Sequence, residues 1–253
     1  MAVSYFKAAW RSLSNKPQRF SAVFVPRHLL AVLLVLISCL GLLKSTSFAA
    51  ASLDYYFVRN TVETWQQNLQ VNQEDDYLAA KSAIKSARQS HPRHPLYTDM
   101  TGQMYEWGSL AGYEDEPTAL RAAKDYYRQA IAMRPTWPVS YASLAMIKWR
   151  MGEFDEELSM LLKQAVLYGP KKAETNILIS EMGLALYTAN HPFYLTVKPY
   201  LQSALLNGLL NSQSRARVLK AVSHFDSKRS VCRWLKSDNP YVYKSLLKCA
   251  SPA

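Results

Sequence analysis

Residues 138–170 read PVSYASLAMIKWRMGEFDEELSMLLKQAVLYGP, and the fold is decided by how this stretch divides. Apolar and small residues recur at helical intervals on both sides of Gly152-Glu153-Phe154-Asp155-Glu156, a run suited to a turn. Tyr141, Leu144 and Ala145 belong to the first helix, and Leu162, Ala165 and Pro170 close the second. Leu158, Ala165 and Pro170 are spaced 7 and 5; Ala80, Ala87 and Pro92 share that spacing, as do Ala123, Ala130 and Pro135, while Val197 and Ala204 keep its first half. Residues seven apart lie on one helix face two turns on, so alanines there leave a smooth surface against which another helix can come close. A proline five residues later stops the helix. Ile84, Tyr127, Leu162 and Leu201, each three before the second small residue, are the expected fillers between neighbouring helix pairs.

The pattern resembles the tetratricopeptide repeat, with its Gly and Tyr in the first helix, two alanines flanking a large residue in the second, and a closing proline. In the copy before residue 138, Gly102 and Tyr105 keep the G-x-x-Y spacing. Departures are visible. Leu158 replaces the first alanine, one extra residue separates the turn from Ala165, and the earlier copy is lengthened by about nine residues through 111–117, expected to form a loop that decorates one face. The prolines give periods of 43 and 35 residues, against about 34 for the family. The resemblance implies an all-α fold in which Ala80, Ala87, Ala123, Ala130, Ala165 and Ala204 are packing positions.

Working outward, 54–69 reads as a separate helix ending near 72–76 and pairing with a helix at 77–90. At the other end 212–225 places Val218, Ala221, Val222 and Phe225 inward and Arg215, Arg217 and Lys220 outward, as in the terminal cap a helical stack requires. The expected plan is a basic tail (1–27), a transmembrane helix (28–49), a helical-repeat domain (54–225) and a C-terminal extension (226–253).

With 49% apolar and 19% charged residues, the chain is composed like one that folds around a core, which excludes disordered and collagen-like classes. Its 8 glycines argue against Gly-rich nucleotide loops and turn-dense β folds. The net charge of +11 is unevenly placed: six of the 30 basic residues precede the first acid, Asp54. That asymmetry favours a membrane flank over a nucleic-acid surface. Residues 29–43, LLAVLLVLISCLGLL, contain no charge, and a helix over 28–49 would cross a bilayer with Lys44 snorkelling to the interface. A cleaved signal peptide is the competing reading, since Ala49-Ala50-Ala51 offers a cleavage site, but the long basic region before the core and the position of Lys44 favour an anchor. Five Lys and Arg before residue 29 put the N-terminus in the cytoplasm. Tyr5, Phe6, Ala9, Trp10 and Leu13 fit one face of a short interfacial helix, or belong to a disordered tail.

Chemistry is sparse. The five histidines are scattered, and His91-Pro92-Arg93-His94-Pro95 reads as a proline-held loop rather than a metal site. The acidic runs 74–76, 114–116 and 155–157 all precede helices, where carboxylates satisfy free amides, so they read as caps rather than catalytic pairs. No catalytic, cofactor or metal residues are assigned, and the expectation is a non-enzyme. Cys39 lies in the apolar run, whereas Cys232 and Cys249 could close a loop of about 18 residues in an oxidising compartment. Tyr126, Tyr127, Tyr141 and Trp149 are candidates for a binding surface, with core packing as the simpler role.

The whole-chain plan is similar to the VpsP-type family of bacterial exopolysaccharide biosynthesis. That resemblance implies a single-pass inner-membrane protein of a Gram-negative bacterium. Its periplasmic repeat domain would work as a scaffold beside a glycosyltransferase, a polymerase or a chain-length regulator, with no nucleic acid involved. A repeat protein that holds apocytochrome segments during cytochrome c maturation, and a periplasmic carbohydrate-binding or glycan-cleaving protein, are the alternatives.

Overall fold

The computed structural model describes residues 27–68, 70–71 and 73–249; the basic tail and the expected interfacial helix at 5–13 lie outside them. Ten α-helices and no strands are found among the described residues. The first, α1, runs unbroken over Arg27–Asn68. A separate helix starting at residue 54 is thus not seen, and the reason is local: between Gly41 and Asn68 there is no proline or glycine to interrupt the backbone ladder. The chain divides into two units, 1–46 and 47–253. In the first, the side chains of residues 28–46 are exposed, and this part of α1 is long and apolar enough to cross a membrane.

In the second unit, the C-terminal half of α1 buries Ala51, Val58, Val62 and Trp65 with Tyr77, Ala80, Ile84 and Ala87 of α2 (Glu74–Ser90) and Tyr97, Met100 and Met104 of α3 (Pro95–Ala111). There follow α4 (Glu116–Met133), α5 (Pro138–Arg150), α6 (Glu156–Tyr168), α7 (Ala173–Thr188), α8 (Tyr194–Leu210), α9 (Arg215–His224) and α10 (Lys228–Trp234). Each odd-numbered helix from α3 to α7 packs on the next even one; α5 also packs on α7, and α7 on α9. The described residues form an all-helical, repeat-like structure.

Boundaries follow from a few residues. Prolines occupy the first turn of α3, α4 and α5, where no amide is lost. Asp115 and Asp155 accept from the amides of Thr118 and Leu158 and so cap α4 and α6. Gly112 and Gly152 have φ of +77° and +72°, the left-handed turn that ends α3 and reverses the chain after α5. The insertion around 111–117 forms no decorating loop: the additional residues lengthen the helices, since α3 and α4 have 17 and 18 residues against 13 each for α5 and α6.

The six alanines expected to pack are all buried, as are Ile84, Tyr127, Leu162 and Leu201. The close approach is visible at two equivalent places. A Cβ on Gly102 would meet the Tyr127 ring at 3.0 Å, and one on Gly183 would meet Leu201 Cδ1 at 2.6 Å. In both, an odd helix lacks a side chain where the next even helix inserts a large one.

The C-terminal region is part of this core. Val231, Leu235, Val242 and Leu247 are buried with Val218, Ala221 and Val222, and a π-helical turn at Val242–Leu246 packs on α8. Cys232 and Cys249 are joined by a disulfide, with Cα atoms 5.8 Å apart. The expected cap at 212–225 is therefore itself covered, because its apolar residues require a further layer. Two of its expected outward charges also have partners: Arg215 donates to the Leu209 and Leu210 carbonyls and Arg217 pairs with Glu181, while Lys220 is exposed.

The glycine sites give a quantitative expectation. Gly183→Leu overfills its gap and lowers stability by about 1–3 kcal/mol, and Leu201→Ala lowers it by about 2–5 kcal/mol. Urea unfolding of the solubilised chain will show the double variant losing less than the two single variants together.

Candidate functional site

A polar face is shared by α3, α5, α7 and α9. On α3, Asp99, Gln103 and Glu106 recur at i, i+4 and i+7, one side of a helix whose remaining surface is largely buried. Asp99 accepts hydrogen bonds from the Ser140 hydroxyl of α5 and from Gln103 Nε2 at 3.1 Å. Glu106 accepts from the Tyr127 hydroxyl at 3.0 Å and faces Arg150 at 3.9 Å. On α7, Glu181 is held by Arg217 of α9 through contacts of 3.0 and 3.2 Å.

Burial pushes all three carboxyls above the usual carboxylate range. At Asp99 the hydrogen bonds from Ser140 and Gln103 oppose the rise, and the charge of Glu174 adds to it. At Glu106 the opposition comes from Arg150, the Tyr127 hydroxyl and Arg217; at Glu181 it comes from Arg217 and Lys220. Four carboxyl groups (Asp99, Glu106, Glu174, Glu181) thus share this face with three cations, Arg150, Arg217 and Lys220. On a chain of net charge +11, the face has the opposite sign. Burial there raises the affinity of its acids for protons.

The sequence did not single out these acids, although the polar i, i+4, i+7 recurrence in an otherwise buried helix was the available signal. The aromatic candidates do not form one surface. Tyr127 is wholly buried, which corrects its proposed place in a binding surface: its ring fills the space over Gly102. Tyr126 stacks on Tyr105 with ring centroids 5.6 Å apart and lies under Arg88. Tyr141 is also largely buried, donates to the Pro135 carbonyl at 2.8 Å, and lines a shallow depression with Met160 and Tyr168 between α4 and α6. Trp149 is half-buried against the central core.

The acidic runs at 114–116 and 155–157 do more than cap. Glu114 takes hydrogen bonds from Lys81 and from the Tyr77 hydroxyl, tying α2 to the α3–α4 turn. Lys148 of α5 is 1% exposed, and its Nζ reaches Glu153, Asp155 and Glu157, each at 2.8 Å. Glu153 is also bound by Lys124, and Glu157 by Arg128, both of α4. Lys148 therefore organises the α5–α6 turn and connects it to the preceding pair. Burial alone would lower its pKa, but the Asp155, Glu153 and Glu157 hydrogen bonds outweigh that and hold it well above the usual lysine value. Among the described residues no group of three or more His, Cys, Asp or Glu could hold a metal ion.

Comparison with models of protein families and with curated proteins returned no match. What the sequence and structure define is a class: a repeat-like protein, all-helical with one candidate membrane helix among the described residues.

The Lys148 cluster sets a pH dependence. Glu153 is held below the usual range by Lys124 and Lys148, Asp155 by Lys148, and Glu157 by Arg128 and Lys148. Their stabilisation is present above the unfolded values of about 4 and is lost as pH falls through the lower folded ones. Lys148→Met will cost about 1–3 kcal/mol at neutral pH, the carboxylates being partly solvated. In unfolding curves collected across pH, the gap between wild type and variant will close on acidification below about pH 4.

Proposed function

We propose that this is a membrane-anchored scaffold: a tetratricopeptide-like solenoid, held by α1, that takes a segment of a partner protein on the face shared by α3, α5, α7 and α9. The observation carrying this reading is the set of desolvated carboxyls on two odd helices, Asp99 and Glu106 on α3 and Glu181 on α7, on either side of α5. In a tetratricopeptide-like stack the first helix of every pair lines the concave side, and an extended or helical segment laid there meets each pair in turn. The sign of the face favours a segment bearing Lys or Arg, whose charge would stabilise the ionised form of carboxyls that burial disfavours.

By its resemblance to the VpsP-type family, the partner belongs to an exopolysaccharide-synthesis complex in the inner membrane: a glycosyltransferase, a polymerase or a chain-length regulator. The reading is non-catalytic, with the N-terminus in the cytoplasm and the repeat domain in the periplasm. Basic residues before α1 and the cysteine pair at the far end support that orientation.

Two measurements test this. A photo-crosslinking residue at Gln103 or Glu174 in the full chain in native membranes will capture components of the polysaccharide complex. Glu106→Gln will reduce the yield, and the same probe at exposed Lys163 will capture none. Capture of apocytochrome at Gln103 and Glu174 replaces the polysaccharide assignment, and equal capture at all three positions overturns the shared face as the site. Separately, Cys232 and Cys249 will resist alkylation in intact cells until reductant is added; free thiols there would overturn the periplasmic placement.

A further inference from the structure

Charge is uneven along the repeat domain and its extension. Residues 54–211 carry 15 Lys and Arg against 17 Asp and Glu, whereas 212–253 carry nine against two. Of those nine, Arg215 donates to the Leu209 carbonyl and Arg217 pairs with Glu181. The other seven are exposed and make no hydrogen bond or ion pair among the described residues. The two acids do not compensate: Asp238 accepts from Gln202 Nε2 at 2.8 Å, and Asp226 is exposed with no cation paired to it among the described residues.

The fold draws five of these cations to one place. Cys232 of α10 and Cys249 are joined, with Cα atoms 5.8 Å apart. Lys228 and Arg229 precede Cys232 by four and three residues, which puts them on its side of α10 one turn earlier. Arg233 follows Cys232 directly, and Lys248 precedes Cys249. The Cys249 amide donates to the Tyr243 carbonyl at 3.0 Å, which brings Lys244 in as well. Packing is done by other residues of this segment, Val231, Leu235, Val242 and Leu247. Like charges gathered without partners oppose folding, so the core does not account for them.

Lys248 makes the point most directly. Its φ is +49°, in the left-handed region that a residue with a Cβ rarely adopts and glycine adopts freely. A lysine stands where glycine would suit the backbone better, and its side chain is exposed.

The surroundings say what meets these charges. A disulfide belongs to an oxidising compartment, which sets nucleic acid aside. An anionic lipid surface takes elements that present apolar residues beside their cations, and Tyr241 is the one exposed large hydrophobic residue in 212–249. Charge without apolar surface fits a soluble polyanion. Five of the seven exposed cations are lysines, compact charges on flexible stems that suit acids spaced along a mobile chain better than one fixed bidentate partner. Tyr241, three residues before Lys244 and 53% exposed, adds a flat ring with an apolar body and a polar tip.

We infer that the disulfide-bound end of the domain is a binding site for an acidic polysaccharide, with sugar carboxylates on Lys228, Arg229, Arg233, Lys244 and Lys248 and a sugar ring on Tyr241. The site is separate from the face shared by α3, α5, α7 and α9. It rests on the placement of the domain outside the cytoplasm, which alkylation of the two cysteines tests by itself.

The test is calorimetric titration of the full chain, disulfide intact, in a neutral detergent. Polygalacturonate will bind with an affinity that falls as salt rises, and its neutral methyl ester will not bind. Lys228→Gln, Arg229→Gln and Lys248→Gln together will weaken binding about tenfold, while Lys7→Gln, Arg11→Gln and Lys16→Gln together leave it unchanged. Lys248→Gly separates charge from structure: affinity falls, and the urea midpoint stays or rises. Polyglutamate of equal charge will bind more weakly, and Tyr241→Ala will weaken polygalacturonate alone. No binding of polygalacturonate overturns the inference, and so does an equal loss from the tail variant. A lower urea midpoint for Lys248→Gly overturns the reading of that residue. Equal binding of polyglutamate, with no effect of Tyr241→Ala, overturns the glycan in favour of an acidic protein segment. Tighter binding of monomeric short-chain phosphatidylglycerol than of trigalacturonate overturns it in favour of a lipid headgroup.

Discussion

Backbone proximity between successive helices is the constraint on which the domain rests. Helices can pack this closely only where one of them gives up side-chain volume, and this chain does so at regular places. Alanines line the even helices at Ala80, Ala87, Ala123, Ala130 and Ala204, and glycines open the odd helices at Gly102 and Gly183. Tyr127 and Leu201 then enter from the even helix into the space the glycine leaves. Each pair is defined by a gap and the residue that fills it, so a volume change at either member is felt by the other. The tyrosine adds a polar consequence: its hydroxyl reaches Glu106, one turn beyond Gly102 on the same side of α3, and so connects the packing register to the polar face.

That connection explains which parts were legible in the sequence. Alanine spacing and prolines are local signals of helix packing and helix ends, so Ala80 to Ala204 and the turn at 152–156 are readable without coordinates. Helix continuity is less so: Asp54 looks like a start because acids cap helices, yet in α1 nothing ends the preceding turn. The insertion near 111–117 looked like a loop because its composition is turn-like over a few residues, whereas its length was absorbed by α3 and α4. Asp99, Glu106 and Glu181 acquire their character only when α5 and α9 arrive to desolvate them, a tertiary effect that spacing along one helix does not express. Lys148 is the same case in the core: a lysine one residue before an exposed-looking Trp149 becomes buried because three carboxylates converge on it from a turn.

Charge is distributed by task. Basic residues are concentrated before α1, acids cluster at the turns where they are matched by Lys81, Lys124, Arg128 and Lys148, and a further set of acids is placed on the shared face with fewer cations than they need. The turn clusters around Glu114 and Lys148 pair acids with cations from neighbouring helices and hold those helices in register. The face of α3, α5, α7 and α9 keeps an imbalance, and an imbalance held in a desolvated setting is what gives a surface a preference among partners.

The disulfide at the end of the stack bears on how the domain opens. In a linear array each pair is supported by its neighbours, and the two outermost pairs, supported on one side only, are normally where fraying begins. Here the last layer is crosslinked through Cys232 and Cys249 and the first is built from a helix that continues without a break into the apolar segment. The disulfide ties α10 to the segment that follows it, so this end of the domain comes away as one closed unit rather than residue by residue.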